Sequence, residues 1–326
     1  MSAIVQPATP AADASSVQDG NVQDGARSAE PIFAAFAVCV TTMNRTETLA
    51  ACLDSLSHCV PAAACIVVSD DSPELAMRAA NAAVVAQHPG AIWLEGPRRG
   101  VCANRNNAVR HCLAHAPQCE YVSFVDDDVQ IAADFFAVAR AHLAALPPER
   151  RHKVMLTGGS SSGEEHPECY PLKLSFAGYF TAADEPQCVN IHAAVFPLAL
   201  FERNGWDENI FFGIEDAELS LRALKNGYSI ELLPTLRTRD TLPGGGVIEC
   251  TPRRYGMSRY QLYCEAARLY VGVKRYRVID PSLPKYLVFI TLYFVHLTLY
   301  LAKRRALSSL LPIVRLSNVR RATTAQ

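Results

Sequence analysis

Apolar runs and helical patterns alternate through the first half of this 326-residue chain. Mainly apolar stretches at residues 33–40, 64–68 and 121–125 predict buried strands, and the segments between them carry apolar residues at helical spacing. Strands that alternate with helices in this way form a mostly parallel sheet covered by helices on both faces. The alternation therefore predicts a three-layer α/β/α domain.

Polar residues follow each of these strands at the point where the strand ends. They are Thr41 and Thr42 after the first strand, Asp70 and Asp71 after the second, and Asp126, Asp127 and Asp128 after the third. The carboxyl ends of parallel strands meet at one edge of a sheet, and ligands bind there. The sequence therefore predicts a binding site at this edge.

The consecutive aspartates Asp126, Asp127 and Asp128 indicate a metal ion. Carboxylates this close repel one another in a partly desolvated crevice unless a hard divalent cation, Mg²⁺ or Mn²⁺, lies between them. Residues two apart at a strand end point to the same side, so Asp126 and Asp128 can address one ion. The alternative interpretation is a solvated acidic turn that caps the following helix.

Charge is distributed unevenly along the chain. Residues 1–250 carry 17 Lys and Arg against 30 Asp and Glu, whereas residues 251–326 carry 14 basic and 2 acidic residues. The basic segment surrounds an uncharged apolar run of 17 residues, 286–302, which disfavours nucleic acid as a partner and favours an anionic membrane surface. A bilayer span needs ~17–25 residues. We expect an in-plane or re-entrant helix, because a span would place the flanking cations on the far side; a buried helix of the domain is the third alternative.

Cysteine spacing and the N-terminal composition indicate the compartment. None of the 11 cysteines forms a C-x-x-C pair, which argues against a zinc site and a disulfide framework and favours a reducing environment. The N-terminus shows no secretory pattern. We expect a cytoplasmic protein at the inner membrane face, with a disordered tail at 1–31, a catalytic domain at 32–250 and a basic helical region at 251–326.

Five segments occur in an order that is typical of one enzyme family: 38–45, 66–71, 100–107, 124–128 and 213–222. Together they make the chain resemble glycosyltransferase family 2 over roughly residues 33–240. The resemblance implies a Rossmann-like GT-A fold. It also implies inverting transfer of a sugar from a nucleotide-diphosphate sugar to a hydroxyl group of a glycan, lipid-linked or other acceptor.

The resemblance assigns donor-side roles to the strand-end residues. Thr41, Thr42, Asn44 and Arg45 would contact the nucleotide, and Asp70 or Asp71 would bind its base. Arg105 would bind phosphate or a carboxylate, although it could equally belong to a solvated helix face. Asp128 would be the closest metal ligand, Asp126 would lie nearer the ribose, and Asp127 would complete the donor site.

The second acidic cluster supplies the acceptor side in the same resemblance. Asp216 would be the general base and Glu215 would position a sugar, while Trp206 would stack on a sugar or belong to the core. Arg222 is spaced to pair with Glu218 four residues earlier.

The family's histidine beyond this helix has no counterpart at residues 236–242, and His192 lies too early in the chain to replace it. Arg239, as a cation on the diphosphate, or Asp240, as a metal ligand, is expected to take its place. The glycine run 244–246 is expected to be a lid or a turn.

Two other functions remain open from the sequence. One is a catalytically silent GT-A binding module, since the family's histidine is missing. The other is a sugar nucleotidyltransferase, which is less favoured because residues 41–46, after the first strand, contain no glycine. The donor's sugar and base and the acceptor are not predicted.

Overall fold

The computed structural model describes residues 35–162, 172–203, 205–241 and 256–323. The predicted tail at 1–31 and the glycine run 244–246 lie outside these residues.

One large sheet forms the centre of the described chain. Its eight strands are arranged in the order β3-β2-β1-β4-β9-β6-β10-β5, and β7 pairs with β8 in a separate hairpin. The strands are β1 (Phe36–Thr42), β2 (Cys65–Asp70), β3 (Ala91–Glu95), β4 (Tyr121–Asp126), β5 (Val129–Ile131), β6 (Val154–Ser162), β7 (Lys173–Leu174), β8 (Phe180–Thr181), β9 (Ala194–Pro197) and β10 (Ser229–Asp240).

Helices cover the sheet. Those in the described residues are α1 (Thr46–Ser57), α2 (Leu75–Val85), α3 (Val101–His115), α4 (Phe135–Ala145), α5 (Pro148–Arg151), α6 (Leu200–Arg203), α7 (Glu215–Lys225), α8 (Arg259–Lys274), α9 (Leu283–Lys303) and α10 (Leu310–Leu316). Alternate residues of β1 face opposite layers: Cys39 lies 3.7 Å from Cys112 of α3, and Phe36 packs on Phe136 of α4. The predicted three-layer α/β/α class is confirmed.

The first four strands of the sheet are parallel, as the pattern predicts. β1 lies between β2 and β4 and runs parallel to both. The second half is mixed, because the short strand β9 pairs antiparallel with both β4 and β6. The 12-residue β10 runs parallel to β6 and antiparallel to β5.

The C-terminal helices pack on the rest of the chain. Ser258 and Gln261 form a capping box at the start of α8. Gly272 lets α9 approach α8 closely, because a Cβ atom there would lie 2.0 Å from Phe289. Tyr293 of α9 donates a hydrogen bond of 2.9 Å to the Glu265 carbonyl of α8. One buried apolar cluster therefore extends from Ala37 to Ala322.

Helix α9 has a buried face and an exposed face. Phe289, Tyr293, Leu297 and Leu301 recur every four residues and are buried. The opposite face exposes Leu283, Leu287, Val288, Leu292, Val295 and Leu299. By length and composition α9 is the helix in the described residues that could cross a membrane.

Candidate active site

The three strand-end clusters lie side by side in the structure. The register pairs Thr41 with Asp126 and Thr42 with Asp70. Thr41 donates a 2.8 Å hydrogen bond to Asp126, and Thr42 donates one of 2.7 Å to Asp127. Parallel pairing of β1 with β2 on one side and with β4 on the other thus builds one polar edge.

Arg105 connects this edge to the second acidic cluster. Its side chain is buried on α3, where Nη2 lies 3.1 Å from Asp126 and Nη1 lies 2.7 Å from Glu215. The guanidinium also lies 5.0 Å from the ring centre of Trp206. The solvated-face interpretation of Arg105 is therefore wrong. Burial acts to raise the pKa of Asp126, but the Arg105 charge and hydrogen bonds from His192 and Thr41 hold that pKa well below its usual value.

His192 is the residue that the sequence argument dismissed. Its Nε2 atom lies 3.4 Å from Oδ2 of Asp126. His192 lies in a short 3-10 turn before β9, and the antiparallel pairing of β9 with β4 brings that turn to the end of β4. The fold brings His192 to this edge although it comes early in the chain, and the short antiparallel strand β9 beside β4 has no local sequence pattern from which this position could be predicted. Burial acts to lower the pKa of His192, but contact with Asp126 raises it overall.

Arg45 bridges the other two strand-end aspartates. Its Nη1 atom lies 2.9 Å from Asp127 and 2.5 Å from Asp128. Burial, with added repulsion from its two neighbours, raises the pKa of Asp127 to about 7, against the opposing effects of Arg45 and Thr42. Burial and the charge of Asp126 likewise raise the pKa of Asp128. Negative charge is therefore crowded at this edge even with Arg45 present.

The carboxylates at this edge suit a divalent cation whose remaining coordination positions are filled by a bound ligand. No three Asp, Glu, His or Cys side chains converge on one point within the described ranges. The charge of Asp240 on β10 acts on Asp128, whereas Arg239 beside it is exposed. Magnesium sites often use one or two carboxylates and take their other ligands from phosphate oxygens and water. Asp128 is the carboxylate that fits this role.

The second strand ends in two aspartates with different surroundings. Asp70 is fully buried and accepts hydrogen bonds from the Ser72 amide at 2.9 Å and the Asn81 side chain at 3.0 Å. Asp71 accepts one from the Arg98 amide at 2.8 Å, and burial raises its pKa. Asp70 therefore shapes the turn, and Asp71 is the better placed of the two for a ligand.

An unpaired acceptor lies close to Asp71. Oδ1 of Asn104 is buried and has no hydrogen-bond partner within the described chain. A Cβ atom on Gly96 would lie 2.3 Å from an Asp71 oxygen and 2.6 Å from Oδ1 of Asn104. Gly96 therefore leaves room for two acceptor oxygens to lie side by side. Asn104 was missed in the sequence because only its burial distinguishes it.

Asn44 lies in the turn after β1 with a positive φ of 59°. Its amide donates a 2.8 Å hydrogen bond to Ser72 of the neighbouring strand-end turn, and its side chain is exposed.

The second acidic cluster begins helix α7. Asp216 is half-buried, and its Oδ1 atom accepts a 2.8 Å hydrogen bond from the Ala217 amide. Burial and the charge of Glu215 raise the pKa of Asp216 to about 7. A cavity of about 310 Å³ adjoins it between α7, α8 and the β7–β8 hairpin. Its lining includes Tyr179, Phe180, Phe212, Glu215, Asp216 and Tyr260.

Trp206 and Arg222 are the other two residues that the sequence analysis placed with this cluster. Trp206 is 2 % exposed and packs against Phe124, so of its two interpretations the structure supports the core residue. Arg222 pairs with Glu218 at 2.9 and 2.8 Å, which confirms the pairing expected from spacing. Lys274 of α8 lies 2.7 Å from the same carboxylate.

Comparisons with known proteins agree with this geometry. A family model described as "Glycosyl transferase family 2" matches residues 37–149, which include the three strand ends. No curated protein matches the chain.

Similar solved structures share the fold. S. aureus TarS 1–349 in complex with UDP-GlcNAc is 16 % identical, with 87 % of this chain and 81 % of that chain covered and a TM-score of 0.53. The mannosyltransferase PcManGT from Pyrobaculum calidifontis, in complex with GDP-Man and Mn²⁺, is 18 % identical, with 91 % and 77 % covered and a TM-score of 0.50. This chain covers 43 % of a longer S. aureus TarS chain, at 17 % identity, 80 % coverage of this chain and a TM-score of 0.50. The family 2 match over residues 37–149 and the GT-A fold shared with these structures support glycosyltransferase activity in this chain.

Proposed function

We propose that the chain transfers a sugar from a nucleotide-diphosphate sugar to a hydroxyl group of a glycan or lipid-linked acceptor, with inversion at the sugar carbon. The observation that carries this proposal is the pair of contacts through which Arg105 joins Asp126 to Glu215. These contacts hold a donor-side carboxylate cluster and an acceptor-side cluster at one edge of the sheet. Two of the similar structures hold UDP-GlcNAc and GDP-Man, which supports a nucleotide-sugar donor.

The donor would lie along the strand ends. Asp71 and Oδ1 of Asn104 offer two acceptors for the N–H groups of a base. Thr41 and Asn44 lie at the end of β1 and in the turn after it, where the nucleotide would pass. The Arg45 guanidinium would bind the negatively charged diphosphate, because it already lies beside Asp127 and Asp128.

Asp128, with Asp126 nearer the ribose, would hold Mg²⁺ or Mn²⁺. The ion would supply Lewis-acid neutralisation of the diphosphate leaving group. One similar structure contains Mn²⁺, which supports this assignment. Asp240 is the better candidate than Arg239 for the role of the missing family histidine, because its charge acts on Asp128.

Asp216 would act as the general base for the acceptor hydroxyl. A base is most effective when its pKa lies near the working pH, and burial beside Glu215 raises the pKa of Asp216 to about 7. A base on the acceptor side, opposite the leaving diphosphate, produces inversion. Glu215 is held by Arg105 and would position the reacting groups.

Helix α9 would bind the cytoplasmic face of a membrane in the plane of the interface. Its buried face packs on α8 along much of its length, so a spanning orientation would pull the charged side chains of Glu265, Arg268 and Lys274 toward hydrocarbon. Its exposed apolar face lies between Lys285 and the exposed Lys303, in keeping with an interfacial helix.

Donor binding tests this proposal. We expect nucleotide-diphosphate sugars, screened with Mn²⁺ by thermal shift, to raise the melting temperature, since a ligand at 100 times its Kd adds ~2.7 kcal/mol of stability. Asp128→Asn should lose the shift that depends on Mn²⁺, whereas the exposed Asp54→Asn should keep it.

Several outcomes would count against the proposal. Failure of UDP- and GDP-sugars alike to shift the wild-type protein would overturn it. Donor binding without any turnover or transfer would indicate the catalytically silent binding module instead.

A further inference from the structure

The cavity beside Asp216 has a largely aromatic wall. Phe212 and Tyr260 pack against each other on one side, with ring centres 5.5 Å apart, and Phe180 lies on another. The charged residues Arg268 and Glu265 of the lining pair with each other at 2.6 Å. The cavity therefore has carboxylates at the start of α7, apolar side chains in its walls, and two charged residues, Arg268 and Glu265, that pair with each other.

The hairpin that forms one wall also rests on α9. Phe176, Tyr179 and Phe180 of this hairpin are each about two-fifths exposed. Tyr179 lines the cavity, and its hydroxyl lies 3.2 Å from Nδ1 of His296 on α9. Phe176 contacts Phe289 on the buried face of the same helix. The hairpin thus connects the cavity to α9.

His296 lies on the exposed side of α9 among apolar neighbours. Leu292, Val295 and Leu299 flank it and are 50 %, 52 % and 66 % exposed. Because Tyr179 touches His296, the exposed apolar residues of α9 lie next to the aromatic side chains of the hairpin that borders the cavity.

Exposed cations flank this stripe. Lys285 lies near the start of α9, and Lys303, Arg304 and Arg305 lie at its end. Within residues 256–323 the acidic residues are Glu265 and Asp280, so the surface around the stripe is strongly basic. An apolar stripe between cations complements an anionic bilayer, where each Lys or Arg near the surface adds to attraction.

We propose that the cavity opens at the bilayer surface and binds the hydroxyl-bearing head of an acceptor that an apolar chain anchors in the membrane. This inference rests on the proposed function and narrows its acceptor to an amphiphile. The head would enter past Phe180 and reach Asp216, while the chain stays in the lipid beneath α9. A water-soluble glycan would not need the exposed apolar residues of the hairpin and of α9 beside the cavity.

Sugar transfer then takes place at the hydroxyl of the head group. The acceptor oxygen forms a bond to the anomeric carbon of the donor sugar as the bond from that carbon to the diphosphate oxygen breaks. The hydroxyl proton passes to Asp216, and the nucleoside diphosphate leaves with the electron pair. The product is a glycosylated amphiphile that remains in the membrane.

Tryptophan quenching locates the cavity mouth without knowledge of the acceptor. Phe180→Trp, Leu292→Trp and Leu75→Trp would be made in the full chain, and the fluorescence of the parent protein subtracted. Leu75 is the matched control, because it is 74 % exposed at the start of α2. Each variant is mixed with vesicles of phosphatidylcholine and phosphatidylglycerol whose acyl chains carry bromine.

Quenching of Phe180→Trp and Leu292→Trp, with Leu75→Trp unchanged, is the expected result. Quenching of Leu292→Trp alone would place the cavity mouth away from the lipid and overturn the inference, and so would the absence of quenching in both. Donor binding by thermal shift is measured on the same proteins. Quenching at Phe180→Trp without donor binding would contradict the proposed function and leave the membrane-facing mouth supported.

Discussion

Neighbouring aspartates at the strand end have different chemical properties because their partners differ. The pKa of Asp126 is held low by Arg105, whereas burial raises that of Asp127 to about 7. Asp216 lies in a second acidic pair, beside Glu215, and its pKa is also raised to about 7. Position in the sequence therefore does not assign acid and base roles here; the contacts around each carboxylate do.

Arg105→Met should destabilise the fold. The variant leaves Asp126 and Glu215 without their shared cation in a buried place, and loss of one partner of a buried ion pair costs about 3–5 kcal/mol. The free energy of unfolding is measured by urea denaturation. The matched control is Arg110→Met on the same helix, an exposed residue whose pair with Glu208 is worth about 1 kcal/mol or less. Equal losses in the two variants would contradict the bridging role.

Asp216→Asn should slow turnover about 10²–10⁴-fold, the usual contribution of a general base. Donor affinity should remain near that of the wild type, because Asp216 faces the cavity that we propose for the acceptor. The wild-type kcat should rise with pH through about 7 as the carboxylate ionises. Normal turnover with weakened nucleotide binding would instead place Asp216 on the donor side.

Asp216→Asn, which should lower turnover, should raise the stability of the folded protein at high pH. The pKa of Asp216 is raised in the fold by burial and by Glu215, against smaller opposing effects of Arg105 and His192. The folded protein therefore disfavours the ionised form, and stability from this group is lost as pH rises from about 4 to about 7. Asp216→Asn should be more stable than the wild type at pH 8 and nearly equal to it at pH 4, by thermal or urea unfolding. A variant that is less stable at pH 8 would contradict the pKa shift.

At the level of elements, α8 fixes the helix that carries the proposed base. Lys274 of α8 lies 2.5 Å from Asp207 and 2.7 Å from Glu218 of α7. Arg222 completes the pairing of Glu218 and also donates to the Gly205 carbonyl. These contacts tie α7 and the segment before it to the C-terminal region through buried, hydrogen-bonded charges.

Lys274→Met should therefore weaken the fold by about 3–5 kcal/mol, because two buried carboxylates lose a cation. Lys285→Met is the control, since Lys285 is about half exposed and pairs with the exposed Asp280. Denaturation curves of the two variants give the loss in the free energy of unfolding for each. A loss in Lys274→Met that is no larger than in Lys285→Met would show that the α7–α8 contacts contribute little.

At the level of the whole molecule, the exposed stripe of α9 lies next to the hairpin that borders the cavity, and exposed cations lie near both ends of α9. Apolar burial and attraction to anionic lipid would act together there, and salt weakens the second of these.

Leu292→Glu combined with Leu299→Glu should abolish sedimentation of the protein with phosphatidylglycerol vesicles, because it places charge in the apolar stripe. Leu75→Glu should bind like the wild type, and high salt should reduce binding by the wild type only in part. A tag at Gln326 should be open to protease on the cytoplasmic side. Protection of that tag would contradict an in-plane helix, and vesicle binding by the double variant would show that the stripe is not the contact.

The sequence by itself determined the strands β1, β2 and β4, which end at Thr42, Asp70 and Asp126, and with them the three-layer class and the edge of the proposed donor site. These features are local, since apolar runs and the polar residues that follow them can be recognised within a few positions. Only the tertiary structure decided the partners of the site: Arg105 meets Glu215 across 110 residues, and β9 brings His192 beside Asp126 by antiparallel pairing. The cavity also required α8 to pack against the start of α7. Contacts between distant segments depend on how layers and strands are packed together, and no local periodicity encodes that arrangement.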